Sequence, residues 1–179
     1  MSLRPALLLL LLTGLPSAAG AQARDPDLPP IDARGVWHRV APEDESTTHK
    51  CAGDPKTPHC ALTTLYACLE REEHDFCRLL EYPGVLSKSR YPRIVYSWYE
   101  YHIVTARRLS ATSKIDEVNE GPVKPQDGDL LIGLWEKHCH DKVEKACTLH
   151  VEKWPLMYFV LRKRGDIWTT PHRFQKRTD

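Results

Sequence analysis

Six cysteines constrain this chain of 179 residues more than any other feature of its sequence. All of them lie after residue 50: Cys51, Cys60, Cys68, Cys77, Cys139 and Cys147. An even number of cysteines in an exported chain indicates disulfides, whereas a cysteine-based zinc site needs close pairs such as C-x-x-C, which are absent here. The cysteines therefore predict a small fold braced by disulfide bonds.

The N-terminus has the pattern of a secretory signal peptide. Arg4 precedes the unbroken apolar run of residues 6–12, and small residues follow Pro16, so cleavage is expected after Ala21 or Ala23. The apolar run is much shorter than the roughly 17–25 residues that span a bilayer. Residues 1–21 therefore predict a periplasmic or secreted protein with no membrane span after cleavage.

Charge excludes two classes of partner. Removing residues 1–21 takes away Arg4 and no acidic residue, which leaves 24 basic and 24 acidic side chains. A neutral chain without a basic run offers no electrostatic surface for nucleic acid or for an anionic membrane. No cofactor is expected.

The mature chain divides into a leader and one domain. Residues 24–57 are rich in proline and predict an extended leader and loop, in which residues 36–40 form a short strand or a docking segment. Residues 58–179 are expected to form a single domain. In that domain Thr57 and Pro58 predict a helix start, and apolar spacing predicts two helices over about 59–70 and 73–81.

Strand signals dominate after the helices. Residues 94–105 are dense in β-branched and aromatic types, which favours a strand, with a helix as the alternative. Further strands are predicted over 129–138, over 148–163 with a break at Trp154 and Pro155, and from Ile167 to about Phe174. Two N-terminal helices on a curved antiparallel sheet of about four strands give an α+β fold.

Two stretches resemble the nuclear transport factor two-like, or cystatin-like, superfamily. Residues 61–80 show an amphipathic helix, a polar corner and a short second helix ending in two leucines. Residues 158–168 show an apolar strand, a glycine turn and a strand with a tryptophan. The resemblance implies a cone-like sheet with an apolar pocket, in a family of isomerases, dehydratases, ligand binders and scaffolds. It places no catalytic residue on this chain.

The pairing of the cysteines follows from proximity but stays open. Cys139 and Cys147 flank a short segment between two predicted strands, and a hairpin would bring them to bonding distance. The simplest remaining pairs are Cys51 with Cys60 and Cys68 with Cys77. The second pair would tie the two helices together across their corner.

Several side chains are candidates for a site. On the first long strand Trp98, Glu100 and His102 share a face, and they form either an acid–base pair in a pocket or the rim of an aromatic packing face. His138 and His140 also share a face, as two ligands of one ion should, but no third ligand is identifiable and the end of a surface hairpin explains them, so no metal site is expected. Aromatic residues expected to bind a ligand are Trp98, Tyr101, Trp135 and Tyr158.

The sequence supports three hypotheses for function. The first is an exported binding module for an apolar small molecule or an envelope protein. The second is a cofactor-free isomerase or dehydratase that uses Glu100 and His102. The third is a structural or inhibitory envelope domain. The tripeptide at residues 164–166 matches a cell-adhesion motif, and a tight glycine turn between strands explains it.

Overall fold

The computed structural model describes residues 25–41, 46–71, 74–81, 98–115, 124–139, 147–149 and 156–175. Within these ranges the helices are α1 (Pro58–Arg71) and α2 (His74–Leu79). The strands are β1 (His38–Val40), β2 (Trp98–Arg108), β3 (Leu130–Cys139), β4 (Cys147–Leu149), β5 (Met157–Arg164) and β6 (Ile167–Gln175). The predicted signal peptide, residues 94–97, His140, Trp154 and Pro155 lie outside the described residues.

The strands form one antiparallel sheet, and the α+β class is confirmed. The strand order is β1-β2-β3-β5-β6, with β4 paired to the end of β3, and the sheet is curled into a half-barrel. Two details of the prediction were wrong. The described residues contain six strands rather than four, because the three-residue strands β1 and β4 join the four long ones. The helices do not come first, since β1 precedes α1.

The start of α1 follows from its sequence. The Thr57 hydroxyl accepts a hydrogen bond from the Cys60 amide at 3.2 Å, and the Thr57 carbonyl accepts one from Ala61 at 2.9 Å. Pro58 occupies the first helical position, where its missing N–H removes no hydrogen bond. Leu62 and Leu65 are fully buried against the sheet. Both predicted helices are present, with ends that differ by at most two residues.

The core lies between α1 and one face of the sheet. Leu130, Ile132 and Leu134 of β3 point into it together, as their alternation predicts. The opposite face carries a smaller apolar cluster of Leu109, Leu131, Tyr158 and Val160. The sheet is therefore covered with apolar side chains on both faces over β3 and β5.

Two disulfides connect the described residues. Cys51 bonds to Cys60 and Cys68 bonds to Cys77, with Cα atoms 5.4 Å and 5.5 Å apart. These are the two simplest pairings predicted from sequence, and they fit an oxidising compartment. Cys139 and Cys147 lie opposite one another in the β3–β4 ladder, so the predicted hairpin is present. The structure does not describe their side chains, so the Cys139–Cys147 disulfide stays a prediction.

The N-terminal segment of the described chain, residues 25–37, lies against the sheet without helix or strand. Asp25 binds the Arg108 guanidinium at 2.6 Å. The Asp32 amide donates to the Ile103 carbonyl at 3.0 Å, and the Asp32 carboxylate accepts from the Ile103 amide at 2.6 Å. This segment therefore holds a buried carboxylate beside β1 and β2. Among the described helices, none has the length and apolarity needed to cross a bilayer.

The turn between β5 and β6 is the tight glycine turn that the sequence predicts. Gly165 has a φ of +60°, a backbone conformation that glycine adopts without a steric penalty. Residues 165–166 form the turn between the two strands. The hairpin explains the tripeptide at 164–166 in structural terms.

Candidate metal centre

Three histidines from three separate segments meet at one end of the sheet. His38 lies in β1, His49 in the loop that follows, and His59 in the first turn of α1. The loop returns to β1 through two hydrogen bonds of 2.8 Å, between the Thr48 amide and the Arg39 carbonyl and between the Arg39 amide and the Thr48 hydroxyl. These bonds bring His49 alongside His38.

The imidazoles are close enough to share one ion. One nitrogen from each ring lies within 4.8 Å of the other two, and His38 Nδ1 is 2.9 Å from His49 Nε2. The ring centroids are 4.9 Å apart for His38 and His49, 4.7 Å for His38 and His59, and 4.3 Å for His49 and His59. The three rings therefore form a compact triangle.

This triangle fits the dimensions of a metal site. With metal–nitrogen distances of about 2.0–2.1 Å, ring centroids lie about 4.5 Å apart when two ligands meet at a right angle and about 5.2 Å apart in a tetrahedral site. The corresponding nitrogen–nitrogen distances are about 2.9 Å and about 3.3 Å. Two of the observed centroid separations lie between the right-angle and tetrahedral values and the third, 4.3 Å, lies just below them, while the 2.9 Å between His38 Nδ1 and His49 Nε2 is also the length of a hydrogen bond between the two rings. The donor set thus suits three adjacent positions around one transition-metal ion.

Asp32 fixes the orientation of His38. The His38 Nε2–H donates to both carboxylate oxygens of Asp32, at 2.9 Å and 3.0 Å. The carboxylate is only 6 % exposed, and its second partner is the Ile103 amide. With Nε2 carrying the proton, the lone pair of His38 is on Nδ1, which faces His49. Metal-binding histidines in proteins commonly have a carboxylate in this position.

Tyr101 supports the cluster from the core side. Its phenol lies 3.2 Å from His59 Nδ1, and its ring stacks on His38 with centroids 4.9 Å apart. Burial raises the pKa of the Tyr101 phenol well above its ordinary value, so the group stays protonated. Because Nδ1 of His59 is occupied by this contact, Nε2 is the nitrogen left to bind an ion.

The electrostatics keep two of the rings neutral. Burial, followed by the charges of the neighbouring His49 and His38, lowers the pKa of His59 to about 4. Burial, followed by the charge of His38, also lowers the pKa of His49. Neutral imidazole has the free electron pair that a metal needs, so protons compete weakly for these two ligands.

None of these three histidines was predicted from the sequence as a ligand. His38 and His59 are 21 positions apart with His49 between them, and this spacing matches no local metal motif. One signal was available: His49 precedes Cys51 by two positions, and His59 directly precedes Cys60. A predicted Cys51–Cys60 bond therefore implies that two of the histidines are neighbours.

The predicted acid–base pair lies on the opposite face of β2, where each residue has its own partners. Glu100 accepts hydrogen bonds from Trp98 Nε1 and from Lys137 Nζ, each at 3.3 Å. His102 Nδ1 donates to the Val36 carbonyl at 2.6 Å. The His102 ring is packed between two tryptophans, with centroid distances of 5.4 Å and 5.3 Å. The arrangement is that of a packed aromatic face.

The four residues predicted to bind a ligand are divided between the faces of the sheet. Tyr101 is buried on the helix side, beneath the histidines. On the other side Trp98 is covered by the Arg39 guanidinium at 4.3 Å, and Trp135 stacks on His102. Tyr158 belongs to the smaller apolar cluster. The side chains of His138 and His140 lie outside the described residues.

No family model, no curated protein and no solved structure matches the chain. The functional argument therefore rests on the histidines and on the residues that hold them.

Proposed function

We propose that this protein is an exported binding module whose ligand is a divalent first-row transition-metal ion, held by His38, His49 and His59. The observation that carries the proposal is the triangle of three imidazoles within 4.8 Å, backed by the Asp32 carboxylate. Such a donor set is the usual one for zinc, copper, nickel or cobalt, since imidazole is the ligand that these ions share.

The imidazole donor set bears on the choice of ion. Copper binds most tightly in the general affinity order of these ions. Three protein ligands also leave positions on the ion for water or for an exchangeable ligand. We therefore expect copper to bind more tightly than zinc.

Export and fold belong to the same proposal. Residues 1–21 have the signal-peptide pattern, and two disulfides suit the periplasm or the outside of the cell. The curled sheet with α1 against it supports a cone-like domain related to the nuclear transport factor two-like superfamily. A metal is favoured over an apolar small molecule because the aromatic residues chosen for such a ligand lie on two faces of the sheet.

Calorimetric titration of the tag-free mature protein tests the proposal. After removal of metal with a chelator, Zn²⁺, Co²⁺ and Cu²⁺ are each titrated into the protein with its disulfides intact. We expect one ion per chain, and affinity lowered by about tenfold or more in His49→Ala and in His59→Ala. His172→Ala is the matched control, because His172 lies in β6 beside Arg162 and Asp129.

Two results would contradict the proposal. One is the absence of stoichiometric binding by the wild-type protein. The other is binding that survives His59→Ala and His49→Ala without loss of affinity. Far-ultraviolet circular dichroism of each variant separates loss of a ligand from loss of the fold.

A further inference from the structure

Two of the three proposed metal ligands lie within two residues of the cysteines of one disulfide. His49 lies two residues before Cys51, and His59 lies one residue before Cys60. The Cys51–Cys60 bond joins the loop to the first turn of α1, with Cα atoms 5.4 Å apart. The bond therefore fixes the separation of the two backbone segments that carry these histidines.

His38 is positioned in a different way. It lies in the β1–β2 ladder opposite Tyr101, and Asp32 holds its ring. The β1 ladder and Asp32 do not include Cys51 or Cys60. Breaking the disulfide would thus leave His38 in place. His49 and His59 would then be connected only through the backbone of residues 50–58.

Resting on the metal site proposed above, we propose that the Cys51–Cys60 disulfide controls its affinity. Oxidation to the disulfide sets His49 and His59 at the spacing that one ion requires. Reduction removes that restraint, so metal binding by the three histidines weakens once the freed thiols are blocked. Ligands that are already positioned lose less conformational freedom on binding, which is why the oxidised protein binds more tightly.

The two disulfides differ in exposure. Cys51 and Cys60 are half-buried residues, which makes their bond the more accessible of the two. Cys68 and Cys77 are 1 % and 2 % exposed. Mild reduction should therefore open the bond beside the histidines first and leave the bond between α1 and α2 intact.

The chemistry of this step balances with a simple dithiol as the reductant. The dithiol supplies two electrons and two protons, the Cys51–Cys60 sulfur–sulfur bond breaks, and each cysteine becomes a thiol. The dithiol itself closes to a cyclic disulfide. With Zn²⁺ as the bound ion, no electron is transferred to the metal, and the ion leaves with its charge unchanged.

The fold has other attachments that hold the loop after reduction. The Gly53 amide donates to the Thr64 hydroxyl of α1 at 3.0 Å, and the Trp168 amide of β6 donates to the Pro55 carbonyl at 2.8 Å. These bonds, together with those between Thr48 and Arg39, keep the loop near the sheet, and the disulfide is the covalent restraint between the two segments that carry the histidines. A variant without the disulfide is therefore expected to fold.

The test compares two double variants that each lack one disulfide. Cys51→Ser with Cys60→Ser removes the bond beside the histidines, and Cys68→Ser with Cys77→Ser removes the other. Both bonds have a sequence separation of 9 and nearly equal Cα distances, so the second variant is a matched control. Calorimetry with Zn²⁺ and Co²⁺ measures affinity, and circular dichroism measures folding.

We expect the first variant to lose about tenfold or more in affinity and the second to stay within about threefold of wild type. Equal affinities in all three proteins would overturn the inference, and so would equal losses in the two variants. Failure of the wild-type protein to bind either ion would instead refute the metal site itself. The two failures are therefore distinguishable.

A measurement on the wild-type chain covers the case in which the first variant does not fold. A phosphine reductant is applied briefly, the freed thiols are alkylated so that they cannot bind metal, and mass spectrometry identifies molecules in which only Cys51 and Cys60 are modified. These molecules are expected to bind Zn²⁺ about tenfold more weakly than the oxidised protein. Unchanged affinity would contradict the inference.

Discussion

The His38 imidazole donates a bifurcated hydrogen bond to the two oxygens of the buried Asp32 carboxylate, at 2.9 Å and 3.0 Å. Asp32 is also bonded to the Ile103 amide, so the carboxylate links the ligand to the long strand β2. The position and proton of His38 are thereby set before any ion arrives. Orientation of this kind commonly changes metal affinity by about 10–100-fold.

The first prediction concerns this pair. Asp32→Asn keeps the shape of the side chain but removes its charge and one acceptor oxygen, so metal affinity should fall by about 10–100-fold. Asp25→Asn, in the same segment but bonded to Arg108, is the control and should leave affinity unchanged. Titration of Co²⁺ with detection by visible absorption measures both. Equal affinities in the two variants would show that Asp32 does not position His38.

The second prediction concerns the stability of the metal-free protein between pH 6.5 and 4. The pKa of His59 is about 4 in the folded state, and its ordinary value is 6.5. The unfolded chain therefore binds the extra proton in this range, so stability falls as the pH falls and changes no further from this group below about pH 4. Discounted for partial exposure, the contribution is about 2 kcal/mol.

Urea unfolding with a chelator present, at pH 7.5, 5.5 and 4.5, measures this dependence. His59→Gln should lose less stability over the range than wild type, because the variant has no proton to gain at this position. Parallel losses in the two proteins would contradict the assignment of the effect to His59.

The third prediction concerns Gly133, where β3 packs closely against its neighbours. A Cβ atom at this position would lie 2.6 Å from Thr105 Cγ2 and 2.8 Å from Tyr158 Cε1. Gly133→Ala should therefore lower the free energy of unfolding by about 1–3 kcal/mol. Adding Thr105→Ser removes the closer methyl group and should restore part of the loss. Thermal unfolding of the three proteins decides whether steric crowding is the cause.

The fourth prediction tests whether Glu100 and His102, the acid–base pair predicted from the sequence, are independent of the proposed metal site. Glu100 and His102 lie on the face of β2 away from the helices, so Glu100→Gln with His102→Gln should change metal affinity by less than about twofold. His59→Ala serves as the positive control. A large loss of metal affinity in the double variant would contradict this independence of the two faces of the sheet.

Local patterns in the sequence predict most of the fold. The Thr57 cap, the spacing of Leu62 and Leu65, and the Gly165 turn each act within a few residues, so helix α1 and the β5–β6 hairpin follow from sequence. The short strand β1 was one of two alternatives for its segment. It forms because β2 offers it a partner, and that partner is distant in sequence.

The candidate metal site could not be predicted in the same way. Its geometry depends on the pairing of His38 with Tyr101, which are 63 positions apart, and on Asp32 reaching Ile103, a hydrogen bond between residues 71 positions apart. Neither of these contacts between distant residues produces a periodic pattern in the sequence. The disulfide between Cys51 and Cys60 was predicted as a simple pair, and it was the one local indication that His49 and His59 lie side by side.

The bond between Asp32 and the Ile103 amide has a practical consequence. This amide proton lies in the middle of β2 and is hydrogen-bonded to the carboxylate that holds a proposed ligand. Its nuclear magnetic resonance signal should therefore move when an ion draws electron density from His38. Its exchange with deuterated solvent should slow as well, since an occupied site opens less often. A single backbone signal thus reports occupancy by Zn²⁺, which has no colour of its own.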